Sequence, residues 1–281
     1  MKILVTGFTG KVGLQVANYL MDKDIPMVCA VRNVEKAQAK FGGAYKYVNL
    51  DFSDSSTFDE ALENVDRIFL MYPPGQNLQF DIFLEKAKDK GIKHITYLSL
   101  KDVQFMPFIH HYKMEKLIKS SEIPYTFVRA GYFMQNLNDF LCKEIKERQR
   151  IFVPAGKGKT SFIDTRDLAK ISSLSLIDEV KHKNQIYVIT GDEAINFFDV
   201  AKIMTEILGV KIEYTNPSVK EFKEYMSKIG QDKGFVNVVV GIHMPTKFGL
   251  AKGIKHDYEK LTGKKPTNIK KYIEDFKEFW V

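Results

Sequence analysis

The stretch MKILVTGFTGKVG, residues 1–13, reads as a short buried strand that runs into a glycine-rich turn and then a helix. Residues 2–6 form an apolar run of strand length. Gly7, Gly10 and Gly13 follow at three-residue spacing, and Val12, Val16, Ala17 and Leu20 mark one face of the next helix. Gly7 suits the positive φ of a tight turn, Gly10 the close approach of a pyrophosphate, and Gly13 the close packing of the helix. Free N–H groups and the helix dipole at such a start favour an anion. Spaced glycines alone are common in loops that bind nothing. Here they follow a strand, open a helix and precede a second apolar strand over 26–31, within one βαβ unit. The reading is therefore a dinucleotide site built on Gly7, Phe8, Thr9, Gly10, Lys11, Val12 and Gly13.

Alternation continues outward from this unit. Helical patterns over 34–40, 55–64, 78–90 and 109–121 alternate with apolar strand patterns over 44–50, 66–71, 94–98 and 125–130. A further strand over 185–189 follows a helix over 167–176. Strands and helices in this order predict an α/β Rossmann fold, a doubly wound parallel sheet with helices on both faces. The texture then changes: amphipathic helices are expected over 196–208, 219–228 and 267–280 and a short strand over 211–214, while the apolar segment 235–242 fits neither pattern. Residues 1–130 with 155–192 are read as the NAD(P)-binding domain. Residues 131–154 with 193–281 are read as a smaller mixed α/β substrate subdomain, a lid over the cleft.

Composition narrows the function classes. A chain of 281 residues, 44% hydrophobic, buries a large core. It has no apolar run long enough for a membrane span, and Met1 leads into the first strand without a cleavable leader, so cytoplasmic residence is expected. Cys29 and Cys142 lie far apart, as buried thiols in a reducing compartment do. The net charge of +7 comes largely from lysines in the last hundred residues, but these alternate with Asp257, Glu259, Glu274 and Asp275 as on a solvated helical face, and no nucleic-acid partner is expected. No metal-ligand spacing is present, and no Ser-His-Asp or Cys-His arrangement points to hydrolysis.

In a parallel sheet ligands bind at the carboxyl ends of the strands. Arg32 ends the second strand, where an NAD-type site places a carboxylate. With Lys36 one turn on, it favours NADP(H) over NAD(H), because a guanidinium pairs with a 2′-phosphate that a carboxylate would repel. Asp51 and Phe52 follow the third strand, beside an adenine. Met71, Tyr72 and Pro73 follow the fourth, and Ser99 ends the fifth.

Taken together, VTGFTGKVG, AVRNVEKA, HHYKMEKLIKSSEIPYTFVRAGYFMQNL, TSFIDTRDLAKI, IYVITGDEAINFFDVAKIMTEILG and YEKLTGKKPTNIKKYI resemble the NmrA-like family of atypical short-chain dehydrogenase/reductases, close to its bacterial NAD(P)H:quinone oxidoreductase and azoreductase-like members. The resemblance covers nearly the whole chain. It implies hydride transfer from NADPH to a quinone-like small-molecule acceptor, with a non-catalytic NADP(H) redox sensor acting on a regulatory protein partner as the alternative and a nucleoside-diphosphate-sugar epimerase-like enzyme as the third reading. A homodimer is compatible with each.

The Tyr-x-x-x-Lys dyad of many short-chain dehydrogenases is missing from its usual place, where alignment through IPYTFVR puts Pro107 and His111. Tyr112 with Lys116 has the right spacing one residue out of register, and Tyr97 with Lys101 has it within a strand. His111 matches the position of a catalytic lysine in related plant reductases and could donate or relay a proton; paired with Glu115 at i+4, it could equally be structural. On this reading the nicotinamide lies by Ser99, His111 and the loop after Ala130, and Gly131, Tyr132, Phe133 and Asn136 face the substrate.

Overall fold

A computed structural model describes all 281 residues. The chain runs β1 (Ile3–Val5), α1 (Lys11–Met21), β2 (Met27–Val31), α2 (Val34–Phe41), β3 (Tyr47–Asn49), α3 (Phe58–Ala61), β4 (Arg67–Leu70) and α4 (Phe80–Asp89). It continues through β5 (His94–Leu100), α5 (His110–Ser120), β6 (Tyr125–Ala130), β7 (Tyr132–Phe133), α6 (Cys142–Arg148), β8 (Arg150–Ile151) and β9 (Phe162–Ile163). Then come α7 (Thr165–Ile177), α8 (Glu179–His182), β10 (Gln185–Ile189), α9 (Phe197–Leu208) and β11 (Glu213–Tyr214). The end of the chain holds α10 (Val219–Lys228), α11 (Lys233–Lys247), α12 (Asp257–Thr262) and α13 (Ile269–Phe276). No helix is long and apolar enough to cross a membrane.

These elements group into two compact units. The first comprises Met1–Ala130 and Thr165–Ile189, the second Gly131–Asp164 and Thr190–Val281. In the first unit, seven strands form one parallel sheet in the order β10-β6-β5-β4-β1-β2-β3. The expected doubly wound sheet is therefore present. Its central strands are near-continuous runs of buried residues because helices cover both faces. The order reverses between β1 and β4, which leaves a crevice outside their carboxyl ends. On one face α7 packs against α1 and β5, and its buried Ser172, Ser173 and Ser175 let it approach closely. The Ser175 hydroxyl meets that of Thr96 on β5 at 2.8 Å.

The turn between β1 and α1 is set by glycine. Gly7 adopts φ +63°, and the Gly10 N–H closes the turn on the Gly7 carbonyl at 2.9 Å. A Cβ on Gly13 would lie 2.9 Å from the Phe8 nitrogen and closer still to the Gly7 carbonyl, so only hydrogen fits there. Gly13 thus lets the first turn of α1 rest on the turn backbone, while Val16, Ala17 and Leu20 are buried further along the helix.

In two places the structure departs from the sequence-based expectation. The helix expected over 55–64 is a 3-10 turn at Ser55–Thr57 followed by the one-turn α3, because the Asp54 side chain caps at Ser56 and Asn64 turns into the left-handed region at φ +55°. The unassigned segment 235–242 lies inside α11, which Asp232 caps by accepting from the Phe235 N–H at 2.8 Å. Its valine run has strand propensity, but a good cap and buried Val236, Val239 and His243 on one face override it.

The second unit has its own core, with Phe162, Phe197, Phe222, Tyr272 and Trp280 at its centre. β7 pairs with β9 and β8 with β11, both parallel. Capping boxes at Asn196/Asp199 and Ser218/Glu221 start α9 and α10. Residues 155–164, expected with the nucleotide-binding part, belong here: β9 pairs with β7, and Thr160 bridges to Ile195. Residues 190–192 follow them, held by Thr190 accepting from the Lys255 N–H at 2.9 Å.

Two histidines are wholly buried, one in each unit. His94 Nε2 meets Thr126 Oγ1 at 2.9 Å, while its Nδ1 has no partner. His243 lies between the Val239 carbonyl at Nδ1 (2.7 Å) and the Tyr132 hydroxyl at Nε2 (3.0 Å). Burial pulls each down to about 4. The unfolded residues take their protons near 6.5, so between about 6.5 and 4 the unfolded chain binds more protons and stability falls as pH falls.

Two outcomes are expected. The unfolding free energy from urea titrations drops between pH 7 and pH 5, by up to about 1.4 kcal/mol per pH unit for each buried histidine, and His94→Asn flattens the slope; a pH-independent unfolding free energy contradicts this. Gly13→Ala forces α1 off the turn and costs about 1–3 kcal/mol in urea unfolding at pH 7, against no change if the helix start has room.

Candidate functional site

A cavity of about 580 Å³ opens in the first unit at the carboxyl ends of β1 to β4, where the strand order reverses. The glycine turn forms its floor. Gly10 lines the cavity at the N-cap position of α1 and supplies no side-chain cap, so the positive end of the helix dipole starts at the cavity wall. Met71 closes the turn from the side: its N–H donates to Thr6 Oγ1 at 2.9 Å, and a Cβ on Gly7 would meet its sulfur at 2.7 Å. The backbone is therefore bared where a phosphate would approach.

The cavity wall formed by β2 and α2 is cationic. Arg32 directly precedes Asn33, whose side chain caps α2 by accepting from the Lys36 N–H at 2.7 Å. Arg32, Lys36 and Lys40 all line the cavity and are exposed. Lys40, absent from the sequence-based expectation, follows Lys36 by one turn of α2, while Arg32 stands just before the helix cap. Across the cavity, Asp51 accepts from both the Ser53 N–H (2.9 Å) and hydroxyl (2.7 Å). Those bonds, ahead of Arg32, hold its carboxyl below the usual range. One Asp51 oxygen is thus committed to the turn.

Aromatic rings complete the wall. Phe52 lines the cavity yet is largely core, 4.5 Å from Phe80 and 5.0 Å from Phe83. Tyr72 stacks between Phe80 at 5.3 Å and His110 at 5.0 Å.

Of the expected cofactor residues, the cavity brings together Gly7, Thr9, Gly10, Arg32, Lys36, Asp51, Phe52, Met71, Tyr72 and Pro73. Five others fall outside it. The Phe8 ring is core, between Phe41 (5.0 Å) and Tyr45 (4.8 Å). Val12 faces inward from α1, and Gly13 serves the turn. Lys11 does not line the cavity, and burial pulls its ammonium down to about 8. Ser99 is wholly buried, and its hydroxyl donates to Glu115 at 2.7 Å.

His111 sits in the first turn of α5, just beyond the carboxyl end of β5. Its Nδ1 lies 2.7 Å from the Tyr97 hydroxyl. The expected partner Glu115 is committed elsewhere: Oε1 takes Ser99 and Arg129 Nε, and Oε2 takes Arg129 Nη2 at 2.7 Å. Burial pulls the His111 imidazole down to about 4, against the opposing pull of Glu115. Neither spaced dyad forms as such. Tyr97 is wholly buried with its hydroxyl on His111, while Lys101 pairs with Asp102 at 3.3 Å. The Lys116 ammonium stands over the Tyr112 ring, 5.1 Å from its centroid, as a cation–π pair.

The residues expected against substrate lie in the second unit. Two of them turn into its interior. The Tyr132 hydroxyl meets His243 Nε2 and also Asn136, and its ring packs on Phe162 at 5.2 Å. Asn136 is buried in the turn after β7. Gly131 and Phe133 are half-buried.

Comparison with known proteins matches this architecture along its length. Prestalk A differentiation protein A of Dictyostelium discoideum is 27% identical over 98% of this chain and 92% of its own. The crystal structure of Citrobacter sp. triphenylmethane reductase complexed with NADP(H) superposes with a TM-score of 0.87 at 26% identity, covering 98% of this chain and 99% of the other. That of the NADPH-dependent quinone oxidoreductase of Escherichia coli complexed with NADPH gives 0.85 at 26% identity, with the same coverage. The model of the NmrA-like family matches residues 1–273, and the chain belongs to that family.

Proposed function

We propose that the chain is an NADP(H)-dependent oxidoreductase that passes hydride to a flat, conjugated small-molecule acceptor, with a quinone as the type. The observation that carries this is the cavity at the strand-order reversal, where a backbone bared by glycine meets three cations. Its volume is of the size that nucleotide-sized ligands occupy.

The residues fit the cofactor in parts. Gly7 and Gly10, with the first amides of α1, would hold the pyrophosphate. Arg32, with Lys36 and Lys40, would hold a 2′-phosphate, for which a planar bidentate donor is matched. When bound, the reduced nicotinamide supplies the hydride. Tyr72 and Pro73 would flank the ribose, and Tyr72, held between Phe80 and His110, is braced against movement. The two proteins to which the fold is similar are named a triphenylmethane reductase and a quinone oxidoreductase, and both names point to conjugated aromatic or quinonoid acceptors. A quinone needs little acid catalysis from the protein, because its reduced oxygens take protons from water. That is compatible with Pro107 standing where the dehydrogenase tyrosine would be.

A second reading, a redox sensor that binds NADP(H) without turnover and reports to a protein partner, is favoured by the same missing dyad. The epimerase-like reading needs that dyad and loses support, since Tyr97 and Lys101 have other partners.

The test is oxidation of NADPH by the purified chain with a panel of quinones, repeated with NADH and with Arg32→Ala. The expected result is turnover that prefers NADPH, with Arg32→Ala raising KM for NADPH about tenfold and changing KM for NADH less than twofold. Tight NADP(H) binding without turnover on any acceptor would sink the oxidoreductase reading and move the search to protein partners.

A further inference from the structure

We propose that Tyr97 is a positioning residue that locks His111 in the Nε2–H tautomer and so makes it a neutral hydrogen-bond donor toward the oxygen of the hydride acceptor. The inference rests on the oxidoreductase reading above, and it assigns His111 a function other than acid or base.

The geometry runs outward from β5. Tyr97 is wholly buried, its ring between those of Phe127 and His111, and His111 Nδ1 is the one partner of its hydroxyl. A phenol has one proton to place. If Nδ1 carried a hydrogen, the phenol oxygen would accept it and the phenolic O–H would be left buried and unpaired, at a cost of about 1–3 kcal/mol. The satisfied arrangement has the Tyr97 O–H donating to Nδ1, which leaves the ring proton on Nε2. Burial and the Glu115 charge push the Tyr97 phenol far up, so it stays protonated and the lock does not titrate near neutrality.

The groups around the imidazole reinforce this state. Tyr72, from the loop after β4, lies 6.0 Å away ring to ring, and His110 adjoins it on α5. Glu115, one turn along α5, has both oxygens engaged by Ser99 and Arg129 and is not available to take a proton from His111. The imidazole is therefore neutral above about 4. Its Nε2–H has no partner within the chain and is free to donate. As the acceptor gains hydride, negative charge collects on its oxygen; His111 holds that oxygen by hydrogen bond, and the neutralising proton comes from water. The nicotinamide is oxidised, the acceptor reduced, and no proton leaves His111. His111 itself lies outside the cavity lining; Tyr72, which lines the cavity with its ring centroid 6.0 Å from the imidazole, separates this donor from the cofactor wall and fixes how near the acceptor must come.

Two measurements on the full chain test the proposal. Long-range nitrogen–proton correlation spectra, recorded without acceptor, are expected to show a single Nε2–H tautomer for His111 in the wild type and a mixture in Tyr97→Phe; an Nδ1–H tautomer in the wild type overturns the lock. In NADPH oxidation with a quinone, His111→Gln keeps a neutral donor and is expected within about tenfold of wild-type kcat, while His111→Ala falls about a hundredfold, with KM for NADPH moved less than twofold. The wild-type rate should show no acid limb near pH 6.5. Gln as slow as Ala, or such a limb, overturns the donor role, and the Gln/Ala pair decides it even if Tyr97→Phe does not fold. A wild type inactive on every acceptor would sink the oxidoreductase reading, and the spectra would then decide the tautomer lock alone.

Discussion

α1 can lie against the Gly7 carbonyl only because position 13 carries no side chain. From that contact the rest of the first unit takes its bearings. It aims the uncapped start of α1 into the crevice between β1 and β4, while the bare Cα of Gly7 leaves room for Met71, which ties the end of β4 to Thr6. The cationic edge from Arg32 to Lys40 then shares the cavity with the glycine turn and the N-cap of α1. Positive potential is gathered at one mouth of the sheet by backbone and side chains together.

Much of this could be read directly from local pattern. The strands 125–130 and 185–189 are rich in β-branched and aromatic residues and their bounds match the sequence pattern, and the glycine spacing marks the turn. Where the reading went astray, a partner far along the chain decided. Phe8 looks like a ligand-facing residue beside two glycines, but Phe41, Tyr45 and Tyr47 offer its ring an aromatic pocket. Ser99 ends a strand where a cofactor residue would be sought, yet Glu115 claims its hydroxyl. Tyr132 and Asn136 were expected against substrate; His243, more than a hundred residues on, draws the tyrosine inward. Periodicity carries no information about such pairings. Charge spacing did, and Lys40 could have been added to Arg32 and Lys36 by counting one more turn.

Glu115 with Arg129 shows how a buried ion pair shapes a neighbourhood it does not enter. Both carboxylate oxygens are engaged and Arg129 reaches on to Gln104 at 2.8 Å, so β5, β6, the loop after β5 and α5 are cross-tied. Such a pair adds little net stability over a well-packed apolar one, but losing one member strands a charge. Its effect here is exclusion: with Glu115 occupied, the nearby histidine is left to Tyr97.

The first unit is discontinuous in the chain, since α7 and β10 join it only after 34 residues, Gly131–Asp164, have been spent in the second. During synthesis, therefore, β1 to β6 emerge with α1 and β5 lacking the helix that covers them and with β6 as an open edge. Until Ile189 has left the ribosome, that apolar face and that unpaired edge are available to other chains. The nascent protein thus has a window of aggregation risk that closes when α7 and β10 dock.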